Sequence, residues 1–99
     1  MVNFFDSKVE MQVVPLLGEF LGAFLFLLVI LFTGNWAAIG AALAGLIFIL
    51  APVSGGHVNP AVSLAMYVKG SLSGTEFLMY TVAQLMGAVA AVYTFRSVV

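Results

Sequence analysis

The sequence predicts an all-α membrane protein with three transmembrane helices plus one re-entrant half-helix. Three features predict it. Only 7% of the 99 residues are charged while 64% are hydrophobic, and the mean hydropathy is +1.21. A water-soluble domain needs about 25% charge to cover its outside, so the medium around most of this chain has to be lipid. Three apolar runs are long enough to cross a hydrocarbon core of about 30 Å at 1.5 Å per residue. Between the second and third lies a short helix pattern with both ends marked, too apolar for water and too short to span. A cleavable signal peptide is a poor account of the first run, because the remainder of the chain is just as hydrophobic.

In chain order, residues 1–10 form a polar N-terminal segment with Asp6, Lys8 and Glu10, and residues 11–99 form one membrane unit. The first span covers about 11–33 and is apolar apart from Gln12 and Glu19. Gly34-Asn35 supplies turn chemistry. The second span, about 36–53, carries no charge, and the third, about 74–95, is closed by Arg96. Trp36, Tyr80 and Tyr93 lie within a turn or two of span ends, where interfacial aromatics gather. Small residues recur every four positions at Gly18 and Gly22, at Ala41 and Gly45, and at Ala83, Gly87 and Ala91. That spacing lets helix backbones approach closely in lipid, and it argues for tight packing without naming a function.

Residues 54–70 do not fit a simple bundle. Asn59 is a favoured N-cap and Pro60 a favoured first helical residue, while Gly70 marks a stop. The helix between them is roughly 10 residues, about 15 Å, or half a bilayer. The Ser-Gly-Gly-His-Val stretch before it is irregular, and irregular backbone at membrane depth survives only inside protein or against a wet cavity. The segment therefore reads as re-entrant, with the half-helix N-terminus and its unbonded N–H groups directed at the midplane. Channels and transporters place broken helices there.

Ser54-Gly-Gly-His-Val-Asn-Pro-Ala-Val-Ser63 resembles the first re-entrant loop of the aquaporin and glycerol-facilitator (major intrinsic protein) family, with its Asn-Pro-Ala signature. Glu19-Phe-Leu-Gly22 resembles the family's first-span motif, and Ala83-Gln-Leu-Met-Gly-Ala88 its third-span motif. The likeness runs from about Pro15 to Tyr93 and corresponds to a single first-half repeat. It implies a channel for water, and for small neutral solutes such as glycerol, in the plasma membrane. Family members carry two inverted repeats whose half-helices meet at the midplane. A chain with one repeat is then expected to pair with an antiparallel copy of itself, and four such pairs, by analogy with family tetramers, would make an octamer of chains. Lys8 and Lys69 on one side against Arg96 on the other is a weak orientation bias, permissive of dual topology.

The resemblance also suggests roles. Asn59, Pro60 and Ala61 would form the signature at the pore, Asn59 serving as helix cap and as donor to permeants. Gly55, Gly56 and His57 would line the lumen with carbonyls. Ile39 falls at the second-span filter position, and Phe26 and Leu43 at pore-wall positions. Glu19 and Gln84 would brace the loop. Glu19, as an ionisable group inside a span, is a functional candidate by default, with a paired scaffold as the alternative to a proton relay. His57 suggests either a pH gate or a neutral imidazole holding the loop. Two departures from the family bear on selectivity: Val62 follows the signature where the second family repeat has Arg, and Ile39 is aliphatic where water-selective members use an aromatic.

The remaining classes are excluded by absence of pattern. No His, Asp or Glu cluster has metal-ligand spacing, no nucleophile stands with a base, and no glycine loop follows a strand. No metal, cofactor or enzymatic activity is expected, and a net charge of −1 gives no reason to expect nucleic acid. Two other functions compete with the self-sufficient channel. One is a non-conducting subunit that needs a partner chain; the other is a small dual-topology transporter with Glu19 as its coupling group.

Overall fold

The computed structural model describes residues 7–99, with side chains from Gln12 onward, as four helices: α1 (Ser7–Thr33), α2 (Trp36–Ser54), α3 (Pro60–Lys69) and α4 (Gly74–Val98). Three of them contain segments long and apolar enough to cross a membrane, at Gln12–Thr33, Trp36–Ser54 and Gly74–Val98. Of the polar N-terminal segment expected at 1–10, residues 7–10 are the opening turns of α1, and 1–6 lie outside the described residues. The third span runs past Arg96 to Val98, so Arg96 sits in its last turn, where a cation complements the helix dipole.

Each helix boundary has a local cause. The Asn35 side chain accepts the amide of Ala38 at 2.9 Å and caps α2. The Asn59 side chain accepts the amide of Ala61 at 2.8 Å and caps α3, with Pro60 following. Ser73 and Glu76 form a reciprocal capping box at α4, with bonds of 3.0 and 3.1 Å. Gly70 ends α3 through its amide, which bonds the carbonyls of Met66 and Tyr67. Pro15 and Pro52 sit inside α1 and α2, both towards the end of the molecule where α4 begins; membrane helices tolerate such interruptions when neighbours re-satisfy the backbone.

α1 is the central helix, packed against both α2 and α4, while α3 packs on α4. Glu19 opposite Gln84 and Phe32 opposite Phe95, the latter edge-to-face at 5.1 Å, show that α1 and α4 run in parallel. Gly18 opposite Val53 and Gly22 opposite Leu50 show that α1 and α2 run antiparallel. Glycine makes these contacts close. A Cβ on Gly87 would meet the Phe20 carbonyl oxygen at 2.6 Å, and one on Gly22 would meet the Leu50 side chain at 2.6 Å. No hydrophobic force draws helices together in lipid, so approach of this kind, by dispersion and shape, works with hydrogen bonds between helices to hold the three spans.

The re-entrant geometry follows from where the loop touches. Gly56 backs onto the backbone of Ile47, and Val58 packs against Gly22, so after leaving α2 the chain turns back along the helix it has just left. α3 then returns antiparallel to α4, with Tyr67 stacked on Phe77 at 5.3 Å and Ser63 bonded to Gln84. Gln84 lies ten residues into α4, about 15 Å from its start, which puts the N-terminal end of α3 near mid-membrane.

Candidate functional site: a capped half-helix on a buried carboxylate

The loop between α2 and α3 is held by one side chain. Glu19, with no exposed surface, accepts four hydrogen bonds: from Ser54 Oγ at 2.5 Å, the His57 amide at 3.1 Å, the Val58 amide at 2.7 Å and Gln84 Nε2 at 2.7 Å. Two of the donors are loop backbone groups that lipid would leave unbonded, each at a cost of several kcal/mol. A carboxylate offers four acceptor positions, so one residue satisfies amides from the loop and anchors from two helices together. Gln84, 2% exposed, gives its second hydrogen to Ser63 Oγ at 2.9 Å, and Ser63 Oγ lies 2.8 Å from His57 Nδ1. Tyr80 completes the cluster, donating to the Ser54 carbonyl at 2.7 Å with its ring 5.0 Å from that of His57.

This corrects the interfacial placement of Tyr80. Its ring is buried, because Ser54 at the end of α2 presents a carbonyl with no helical successor and the phenol reaches it. Ser54 and Ser63 belong to the cluster without having been given a role from the sequence, and Tyr80 joins it from a different expected place. Ser63 had one available signal, a hydroxyl on an apolar half-helix at the position four after the cap; Ser54 had none.

The loop backbone is forced into uncommon conformations. Gly55 and Gly56 have φ of +92° and +65°, which glycine adopts without strain. Val58 has φ of +55°, an outlier for a β-branched residue that costs on the order of 1–3 kcal/mol. The surrounding contacts hold it there: its amide is taken by Glu19 and its side chain is packed on Gly22.

The structure thus brings Glu19, Gln84, Gly56 and His57 together, with Asn59 exposed at the half-helix N-terminus and Gly55 exposed beside the cluster. Because Asn59 Oδ1 is occupied by the Ala61 amide, its Nδ2 group is the part left to donate outward. Pro60 is half-buried and Ala61 exposed in the first turn of α3. Phe26, Ile39 and Leu43 are not in the cluster. They are half-buried on α1 and α2, Phe26 seven residues, about 10 Å, beyond Glu19. Among the described residues no group of His, Asp and Glu has the arrangement of a metal site.

Three spans, a broken helix ending near mid-membrane and a buried polar cluster behind it define an integral membrane protein of the re-entrant-loop class. Residues 8–99 match the family model described as Major intrinsic protein. The chain belongs to the major intrinsic protein family, whose members are channels and not enzymes. It is 41% identical over 87 residues to the lens fiber major intrinsic protein of Gallus gallus, covering 76% of this chain and 33% of that protein. It is 49% identical over 53 residues to aquaporin-5 of Sus scrofa, covering 54% of this chain and 20% of that protein. An aquaglyceroporin of Rhizobium meliloti is 46% identical over 56 residues, covering 57% of this chain and 24% of that protein. The matches thus span between a fifth and a third of the length of these curated relatives.

Proposed function

We propose that the chain forms a channel for passive permeation of water and small neutral solutes such as glycerol, in the plasma membrane, with the pore closed by antiparallel association of two copies. The observation that carries this reading is the N-terminus of α3. It lies at membrane depth with Asn59 exposed and its Nδ2 group unengaged by the cap, at the positive end of a helix dipole. Polar groups in that position replace hydration for a passing molecule, while the dipole repels protons and cations. Pairing supplies the opposing half-helix and covers backbone that lipid cannot satisfy.

Asn59, Pro60 and Ala61 are the constriction in this reading, and Gly55, Gly56 and His57 offer acceptors along the approach. Phe26, Ile39 and Leu43 are the apolar wall. An aliphatic Ile39, and Val62 in place of a cation, favour a pore that admits glycerol alongside water. Glu19 and Gln84 brace the loop. A transporter with Glu19 as its coupling group is disfavoured by geometry, since a carboxylate with no exposed surface and four donors has no route to either bath.

The test is osmotic shrinkage of liposomes containing the purified chain alone, followed by stopped-flow light scattering, beside an Asn59→Asp variant. Shrinkage well above that of empty liposomes with a low temperature dependence, changed in the variant, is the expected result. Shrinkage equal to that of empty liposomes, from protein shown to be folded and oligomeric, would replace this reading with a subunit that needs a partner chain.

A further inference from the structure

The crease along the contact of α1 with α4 carries a hollow of about 520 Å³, lined by Phe20, Val82, Leu85, Met86, Val89 and Ala90. Every lining residue is apolar. A second hollow shares Val82 and Met86 and continues the first towards the start of α4. Helix contacts in lipid favour small residues that let backbones approach, as Gly87 does where α4 meets α1. The rim of the hollow is instead bulky and exposed, at Val82, Leu85, Met86 and Val89. Such a rim holds off a second helix, about 10 Å across, and leaves the crease to a thin, flexible chain.

A second, independent observation is a cation on the same face. Val82, Met86, Val89, Tyr93 and Arg96 alternate in steps of four and three, which lines them up along one side of α4. Arg96 is exposed in the last turn, with its guanidinium carbon 6.0 Å from the centre of the Tyr93 ring. Among the described residues no carboxylate side chain is near it. Glu19 is enclosed in the loop cluster, and Glu76 lies in the first turn of α4, about 30 Å away along the helix. The hollow, from Val89 to Val82, lies about 10–20 Å below Arg96 along the axis. One leaflet of hydrocarbon is about 15 Å deep, so a lipid with its headgroup at Arg96 hangs its acyl chain along the hollow.

We propose that this face is a phospholipid site, with one acyl chain in the crease beside Phe20 and Met86 and an anionic headgroup phosphate on Arg96. A guanidinium donates two parallel hydrogen bonds to phosphate oxygens, and the aromatic ring of Tyr93 belongs at the same interfacial depth. The net charge of the headgroup decides the preference. Phosphatidylglycerol brings an uncompensated negative charge to Arg96, whereas the ammonium of phosphatidylcholine offsets its own phosphate. The site is made by α1 and α4 alone, so it stands whether or not the chain conducts.

The test is native mass spectrometry of the purified full chain, released from detergent after equal amounts of phosphatidylglycerol and phosphatidylcholine are added. The parent is expected to retain phosphatidylglycerol in preference. Arg96→Gln should lower that retention about fivefold, to the level of phosphatidylcholine. Lys69→Gln, at the opposite end of the molecule, should leave it unchanged. Met86→Trp fills the hollow from an exposed position and should lower retention of both lipids. Equal retention of the two lipids by the parent, or retention of neither, would overturn the proposal. So would an equal drop in Arg96→Gln and Lys69→Gln, which would mean general attraction to charge. Unchanged retention in Met86→Trp would remove the acyl chain from the crease, and a fall in oligomeric mass in that variant would give the crease to a second copy.

Discussion

On α1 and α4, Gly18, Gly22 and Gly87 sit where another helix would collide with a side chain; on the outer face of α2, Gly40 and Gly45 sit in open space. The first region also holds the polar cluster, where Glu19, Gln84, Ser63, Ser54 and Tyr80 are bonded to one another or to the loop. The second has no polar side chain between Trp36 and Val53 and almost no burial. The same residue types therefore mean different things in the two places. Where the approach is already made, they measure how close the helices are. Where it is not, they leave a small-residue surface that no neighbour among the described residues meets.

The comparison breaks most sharply at Glu19. Glu19→Leu strands two loop amides and Gln84 without acceptors, each about 1–3 kcal/mol, so a loss of several kcal/mol and a failure to purify as a monodisperse species are expected. Glu19→Gln tests the charge separately: it keeps the size but opposes amide hydrogens to donors, and should fall between the leucine variant and the parent in thermal stability measured in detergent. A Glu19→Leu variant as stable as the parent would deny the cluster its role as the loop's anchor.

Gly87→Val ranks next. Its Cβ alone would meet the Phe20 carbonyl oxygen and the Phe24 amide nitrogen, which are backbone and cannot rotate away, so about 1–3 kcal/mol is lost to overpacking. Ser63→Ala is smaller. It removes the hydroxyl shared by Gln84 and His57 and should cost about 1–2 kcal/mol, with His57 freed to show faster side-chain exchange in NMR. Smallest is Gly45→Ala, on the flank of the free face. With no neighbour to strike, it should leave stability unchanged or raise it by up to about 1 kcal/mol through the better helix propensity of alanine. A drop there as large as at Gly87 would mean that something already covers this flank of α2 in the form measured.

The helices were legible in the sequence because their boundaries are made by neighbours along the chain. Asn59-Pro60 at one end and Gly70 at the other delimit α3 by capping alone, and half-membrane length follows from counting. Glu19 and Gln84 stood out because polar groups in apolar spans need partners. Tyr80 was misplaced for the complementary reason. A tyrosine one turn or so inside a span suits the interface or an interior acceptor equally well, and the Ser54 carbonyl that decides the matter is 26 residues away.

By itself the sequence determined the lipid environment, the three spans and the broken helix, since hydropathy, length and caps are properties of local segments that any packing must respect. Only the tertiary structure decided that one carboxylate gathers donors from a loop and two helices, that Val58 is held at a positive φ, and that two glycine stripes are filled while the third is open. Those outcomes depend on which helix faces meet, and close approach between helices is a joint property of two surfaces that neither segment encodes alone.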